Sequence, residues 1–585
     1  MNPVLTMRDR RSTSLSVSSA SSSTSTTSSS EKRYPTPPSP LSPTLPAPVT
    51  EKSHNRARRR LLLRSTAYRL LLAIGTTIFL WRCFVTSLSV NLTFNEGNRP
   101  PPVDNSTDTE WVGADTLPDE PTALLVSNPD GHARWTVSIP SGLPFPLRDR
   151  QYRTLCEQAE TLQAGLERGR SLAESPVTGW RRKPSYVDPD PSFLDIAEAE
   201  GIGALPPQSD TRKEDANAVC DTSLTFAMDT DDASFGKTLL LLWLSYGLAR
   251  KEGRAFFIDD TRWPYGTYTS YFSPPPTPSC SPPPAHHIVP CPHAARHLLV
   301  SAATAPWTFD AAFEQTYHRP RKHDHRRDRD ATFDLVRAGY EALFHLVSDD
   351  ATYAADRIAM MKRAAAPTVG MHIRRGDLHP SEYQFSRDYL PLDRYATSAR
   401  SLSQALRQNH HNNNTSTSTD IPATLLLASD DPDILTSPDL TQAALPASVH
   451  RAQDRILLAT KAALDRTAPV VPLREPGSAY VKHLEENSGW EGGFYRALFY
   501  SLDGGGGGDG EDGVVSPQAL RMRELVGRAY VLDLAVLGAS DGVVCAVGSA
   551  ACRVLGVTLG REAVREGRWV NVDDGRRGWS WDGRR

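Results

Sequence analysis

An α/β fold with parallel sheets is what this sequence of 585 residues predicts. Three observations carry the prediction. The first is the stretch Pro367 to Phe385, where an apolar run, Thr368-Val369-Gly370-Met371, gives way abruptly to His372, Arg374, Arg375, Asp377 and Glu382. Buried strands of open α/β sheets deliver polar side chains in this way to a ligand crevice at their carboxyl ends. The second is alternation: short β-prone runs are separated by stretches with helical spacing. The third is a strand, Gly542 to Val547, that feeds the small-residue turn Gly548-Ser549-Ala550 and a further helix.

The chain is too long for one core, so two or more domains are expected. A net charge of −3 gives no general electrostatic attraction to nucleic acid. Of seven cysteines, six follow residue 150, which suits either bridges in an oxidising compartment or buried thiols in a reducing one.

Taken in order, residues 1–69 are a Ser/Thr/Pro-rich tail that cannot bury a core, closing in a basic segment with Lys52, Arg56, Arg58, Arg59, Arg60, Arg64 and Arg69. Residues 70–90 are an apolar run long enough to cross a bilayer as a helix, interrupted only by Arg82. The basic flank places the N-terminus in the cytosol, so a single-pass type II signal-anchor is expected, with the rest of the chain luminal. Residues 91–145 read as a Pro-, Asp- and Thr-rich stem with N-glycosylation triplets at Asn91 and Asn105; overlapping triplets recur at Asn413 and Asn414. Residues 146–184 form a helical lead-in, with Tyr152, Leu155, Leu162 and Leu166 at heptad-compatible spacing.

A first catalytic subdomain is expected over 185–365. Within it Gly236 opens a helix that Gly253 stops, and Ala255 to Ile258 is a strand ending in Asp259-Asp260. Gly236-Lys237-Thr238 is not a P-loop, because the pattern needs glycine where Asp231 stands. A glycine at such a junction still lets backbone N–H groups approach a phosphate or nucleoside. Cys280, His286, His287, Cys291 and His293 match no recurring zinc spacing, and their proline-rich surroundings read as an extended loop. The mixed-charge run 318–330 reads as a solvated surface.

A second subdomain is expected over 366–585, with insertions at 408–420 and 503–513. Pro391 to Leu406 is helical, and Thr424 to Ala428 is a buried strand ending in Ser429-Asp430-Asp431. The final block carries a helix with Asp533, then the strand and turn noted above. That turn has the geometry of an anion site, although an ordinary strand–helix connection gives the same pattern.

Four separated segments together resemble the α1,6-fucosyltransferase family, glycosyltransferases that use GDP-fucose and carry an HxRR motif. They are the Gly-containing loop and aliphatic helix Ser234 to Leu248; His372, Arg374, Arg375, Asp377 and Glu382; Asp430-Asp431; and Leu532-Asp533, Asp541, Val544-Cys545, Ser549, Cys552 and Arg553. The resemblance implies a GT-B-like two-domain fold whose second, Rossmann-like half holds the nucleotide sugar. It implies that Arg374 and Arg375 hold the diphosphate, His372 contacts the nucleoside, and Asp533 accepts from guanine. Ser549 would bind phosphate, Gly236 would lie against the nucleotide, and Glu382 would be the general base. Asp377, Asp430 and Asp431 would complete the substrate site, and Cys545 and Cys552 would form a disulfide.

The expected activity is inverting fucosyl transfer to a glycan or glycoprotein acceptor from a Golgi membrane anchor. No cofactor and no metal are expected, since two arginines can neutralise the departing diphosphate. No nucleic-acid partner is expected, and a homodimer is left open. Two alternatives stand beside this: an α1,2- or protein O-fucosyltransferase, and an inactive membrane-anchored GDP- or glycan-binding protein. The last draws on Leu378, which stands where the family usually has lysine.

Overall fold

The computed structural model describes residues 117–173, 190–208, 218–228, 234–317, 328–374, 390–413, 423–440, 449–457 and 517–573 apart from a few internal positions, together with Tyr186, 473–474, 481–482 and 579–581. The tail, the apolar run 70–90 and the first half of the expected stem, 91–116, lie outside these residues. Among the described residues no helix is long and apolar enough to cross a membrane.

Inside the expected stem, β1 (Thr122–Ser127) and β2 (Ala133–Ser138) pair as an antiparallel hairpin. Ala133–Ser138 presents Trp135 and Val137 to one side, and both are buried against Tyr152, Leu155 and Cys156 of α1 (Asp149–Ala173). Proline and acid content around this segment masked the two-residue alternation that builds it.

A three-stranded parallel sheet follows, ordered β4-β3-β5, from β3 (Ser223–Ala227), β4 (Ala255–Asp259) and β5 (His297–Val300). Between β3 and β4 runs α2 (Phe235–Glu252). Ser234 caps its N-terminus, and Gly253 ends it at φ +72°, where the absent side chain removes the left-handed penalty. This helix is buried nearly all round, because α3 (Asp328–Leu343) crosses it closely. A Cβ on Gly247 would stand 2.2 Å from the Leu335 carbonyl oxygen, and one on Gly339 2.2 Å from that of Trp243. Helix α4 (Ser348–Lys362) leads to the second sheet.

That sheet has five parallel strands ordered β12-β11-β6-β7-β8. They are β6 (Thr368–Ile373), β7 (Thr424–Ser429), β8 (Val449–Arg451), β11 (Gly542–Cys545) and β12 (Trp569–Asn571); a separate antiparallel pair, β9 (Leu473–Arg474) and β10 (Val481–Lys482), lies between them in the chain. The order is that of a doubly wound nucleotide-binding sheet, in which the first strand, β6, sits centrally and the chain winds outward on both sides. Helix α5 (Leu392–Asn413) covers one face, burying Tyr395, Ala399 and Leu402 against Val369, Met371 and Ile373. It continues six residues past Arg407, into what reads as a polar insertion. On the other face α6 (Pro517–Gly538) and α7 (Ala550–Leu559) pack with α2 and α3 into one core that also takes in Leu224 and Phe226 of the first sheet.

Three disulfides join Cys156 to Cys291, Cys220 to Cys280 and Cys545 to Cys552. The last is the pair the resemblance implies. The first two decide a pairing that the sequence left open, and they take both cysteines of the proline-rich loop.

Candidate functional site

Parallel pairing puts the carboxyl ends of β7, β6 and β11 along one edge of the sheet. In a doubly wound order the crevice opens between the two strands from which the chain departs in opposite directions, here β6 and β11. Strand β6, which carries His372, ends at that point. Arg374 directly follows β6 and is only 7% exposed, and its guanidinium donates to the Asp430 carboxylate in a buried ion pair. Asp430 is set by the end of β7: Ser429 Oγ donates to the Ile373 carbonyl at 2.6 Å and accepts from the Asp431 amide at 3.0 Å. The Asp430-Asp431 turn is thereby tied to the last residue of β6.

Across the switch point, β11 ends in Cys545 and the turn 546–549. Val547 N donates to Asn571 Oδ1 at 3.0 Å, tying the turn to β12, and Ser549 Oγ accepts from Ala551 N at 3.3 Å. Ser549 is thus the N-cap of α7, and the Cys545–Cys552 bridge links the strand to the first turn of that helix. The N-terminal, dipole-positive end of α7 lies at this edge of the sheet, an arrangement suited to a phosphate.

His372 belongs to the other face of β6. Side chains alternate along a strand, and Gly370 faces Leu537 of α6, whose Cδ2 would lie 3.1 Å from a Cβ there. His372 shares that face. One helical turn before Leu537 stands Asp533. Two residues of strand and one turn of helix cover similar lengths, about 6.6 Å and 5.4 Å, so His372 and Asp533 stand at a similar level along β6 and α6.

The Asp533 carboxyl is enclosed, although the residue as a whole is partly exposed. Burial pushes its pKa well above the usual carboxylate range, opposed by the Arg451 charge and by hydrogen bonds from the Gln453 backbone and side chain. The N-terminal end of α2 reaches this same helix. Phe235 packs edge-on to Tyr530 at 5.6 Å, and a Cβ on Gly527 would lie 2.8 Å from the Phe235 ring. Gly236, buried in the first turn of α2, is thereby brought beside the helix that carries Asp533.

The structure therefore gathers His372, Arg374, Asp430, Asp431 and Ser549 on one sheet edge, with Gly236 and Asp533 joined through α6. Arg375, Asp377 and Glu382, with Leu378, lie outside the described residues. Two positions of the resemblance hold the site rather than line it. Asp541 Oδ2 accepts from Thr368 N at 2.7 Å and from its hydroxyl at 3.0 Å, at the amino end of β6. Arg553, buried in α7, donates to the Ser580 carbonyl at 3.4 Å. Gln453, Arg451 and Arg357 were not foreseen. Arg357 donates to the carbonyls of Arg451 and Ala452 at 2.7 and 3.2 Å and so anchors the segment that meets Asp533. A three-residue strand inside a mixed polar sequence gives no signal for this.

No family model matches the chain, and no curated protein sequence matches it. Solved structures of NodZ α1,6-fucosyltransferase align with it. NodZ soaked with GDP-fucose matches over 58% of this chain and 92% of its own, at 13% identity and a TM-score of 0.26. NodZ co-crystallised with GDP matches over 57% and 91%, at 12% and 0.24. The selenomethionine form of NodZ from Bradyrhizobium matches over 57% and 91%, at 13% and 0.25. At such identities and TM-scores the likeness supports no functional conclusion for this chain.

Proposed function

We propose that this chain is an inverting, GDP-fucose-dependent fucosyltransferase that acts on a glycan hydroxyl, with α1,6 linkage as the motif pattern suggests. One observation carries the reading: Arg374 of the HxRR motif directly follows the central strand at the switch point of a doubly wound parallel sheet, held there by Asp430. Sugar transfer from a nucleoside diphosphate needs charge neutralisation on the leaving group and a base for the acceptor.

In the proposed reaction the acceptor oxygen attacks the anomeric carbon of fucose as the bond to the β-phosphate oxygen breaks. Glu382 takes the acceptor proton. Arg374, Arg375 and the N-terminus of α7 receive the charge that gathers on GDP. A planar guanidinium suits two phosphate oxygens at once, and its carboxylate partner holds it in one orientation before the donor arrives. Asp533 and His372 take the nucleoside side, and transfer proceeds without a metal. Three disulfides suit an oxidising compartment, and with the apolar run and glycosylation triplets they support a luminal, Golgi-anchored enzyme.

The test is a thermal-shift panel of GDP, UDP and ADP on the detergent-purified full chain, followed by transfer from GDP-fucose to a glycan pool in the presence of a chelator. GDP should stabilise most, and Arg374→Ala should lower transfer about a hundredfold to a thousandfold. Preference for UDP or ADP sinks the assignment. GDP binding with neither hydrolysis nor transfer leaves a binding protein, the reading that Leu378 favours.

A further inference from the structure

Three metal-ligating side chains converge in the half of the molecule built on β1, β2 and α1. Glu200 lies in the short helix Ile196–Gly201, and His286 and His287 share the single 3-10 turn Ala285–His287. One donor atom from each lies within 4.8 Å of the other two. His287 Nε2 is 3.0 Å from Glu200 Oε2, and His286 Nε2 is 3.5 Å from Oε1. Donor atoms around a tetrahedral zinc ion, at bond lengths of about 2.1 Å, stand about 3.4 Å apart. The spacing already approximates a coordination sphere.

The chemistry of the surroundings agrees. His286 is 4% exposed, and the side chains of Glu200 and His287 are 13% and 15% exposed, so water competes weakly for these atoms. Glu200 Oε1 is buried and accepts no hydrogen bond from the described residues, which leaves a charged oxygen incompletely satisfied. A divalent ion would complete it and would balance the carboxylate at the same time. Two imidazoles and a carboxylate form a borderline N/O set suited to zinc, with one position left to water.

The loop is also clamped. Cys280, six residues before His286, is bonded to Cys220, and Cys291, four residues after His287, is bonded to Cys156. Little ordering is therefore left for an ion to impose. Neither cysteine is available as a ligand, and His293 is taken up elsewhere, 2.9 Å from Glu252.

We infer that Glu200, His286 and His287 bind one zinc-class divalent ion, which ties the helix Ile196–Gly201 to the disulfide-clamped loop. It is a structural ion, built from other elements than those that hold Arg374, and it takes no part in the transfer proposed above.

The experiment uses the full chain stripped with EDTA, freed of chelator and titrated with zinc chloride alone. Bound metal is read by elemental analysis and stability by thermal shift. The expected result is one equivalent of zinc that raises Tm by several degrees and is lost, at least tenfold in affinity, in both Glu200→Gln and the double variant His286→Gln/His287→Gln. Glu200→Gln keeps the side chain's size and one acceptor oxygen for His287, so it guards against a variant that merely fails to fold. Cobalt(II) in the wild-type chain should give the intense visible bands of a four-coordinate site. The chain holds other histidines, such as His318, His323 and His325, so the difference between wild type and variants decides. Zinc bound equally by wild type and Glu200→Gln, or no uptake by wild type, overturns the inference.

Discussion

Arg374 and Asp533 show how differently burial treats two charged residues of one site. Arg374 is accompanied into the interior by Asp430, which pairs its charge. Removing one partner of such a pair leaves an uncompensated charge, at a cost of about 3–5 kcal/mol. Asp533 takes hydrogen bonds from Gln453 while Arg451 acts through its charge, and burial, the largest effect, favours its neutral form. A carboxyl with a raised folded pKa contributes stability that is complete below the ordinary value of about 3.9. That stability is lost as pH rises through the folded value. Asp533→Asn, neutral at every pH, should therefore hold its Tm better than wild type as pH increases. The same variant should weaken GDP binding about twofold to tenfold, the worth of roughly 0.5–1.5 kcal/mol for a hydrogen bond between neutral groups. Calorimetric titration at neutral pH checks this, and unchanged affinity removes Asp533 from the nucleotide site.

At the scale of elements, the packing of α2 on α3 rests on two glycines whose missing side chains let the backbones touch. A Cβ at Gly247 would fall 2.2 Å from a backbone oxygen, which no rotamer change can relieve. Gly247→Ala or Gly339→Ala should cost about 3 kcal/mol or more, read as a lower denaturation midpoint, whereas Gly165→Ala in α1 meets open space and should not destabilise. The first parallel sheet carries a pH signature of its own. His297 opens β5 with Nδ1 3.0 Å from Ser223 Oγ, and burial lowers its pKa to about 4. A histidine depressed on folding contributes stability that is fully present above its unfolded value of about 6.5. That stability declines as pH falls from there toward the folded value. His297→Gln should flatten the acid limb of a Tm-against-pH curve. An unchanged limb would show that other groups govern it.

The whole molecule is held by links between distant parts of the chain. The Cys156–Cys291 bridge ties α1 to the loop before β5 across 135 residues, whereas Cys545–Cys552 spans only 7. On the loop-closure account, the long bridge is worth about 5 kcal/mol and the short one about 2.5 kcal/mol. Double serine variants should therefore differ, with the larger loss of Tm in Cys156→Ser/Cys291→Ser. If the short bridge proves the costlier, its role in setting the turn before Ser549 outweighs chain entropy.

Much of this architecture was legible in the sequence. The strand at 424–428, the helix from Gly236 to its Gly253 stop and the strand–turn–helix at Gly542 follow from local patterns of burial, capping and turn chemistry. Such patterns depend on neighbours a few residues away. The segment 122–138 did not yield, because a short hairpin in polar surroundings is identified by what it packs on, and its partner α1 comes later in the chain. The order β12-β11-β6-β7-β8 was likewise beyond local reading, and it is this order that sets Arg374 opposite the N-terminus of α7. Local pattern reveals which residues carry ionisable and ligating groups and that Arg374 and Asp430 follow strands. Which of these groups meet is a property of the folded chain: Arg374 with Asp430, Asp533 with Gln453, and Glu200 with the two histidines. Those meetings are set by strand pairing, helix packing and disulfides between residues tens to hundreds apart, and no local propensity encodes them.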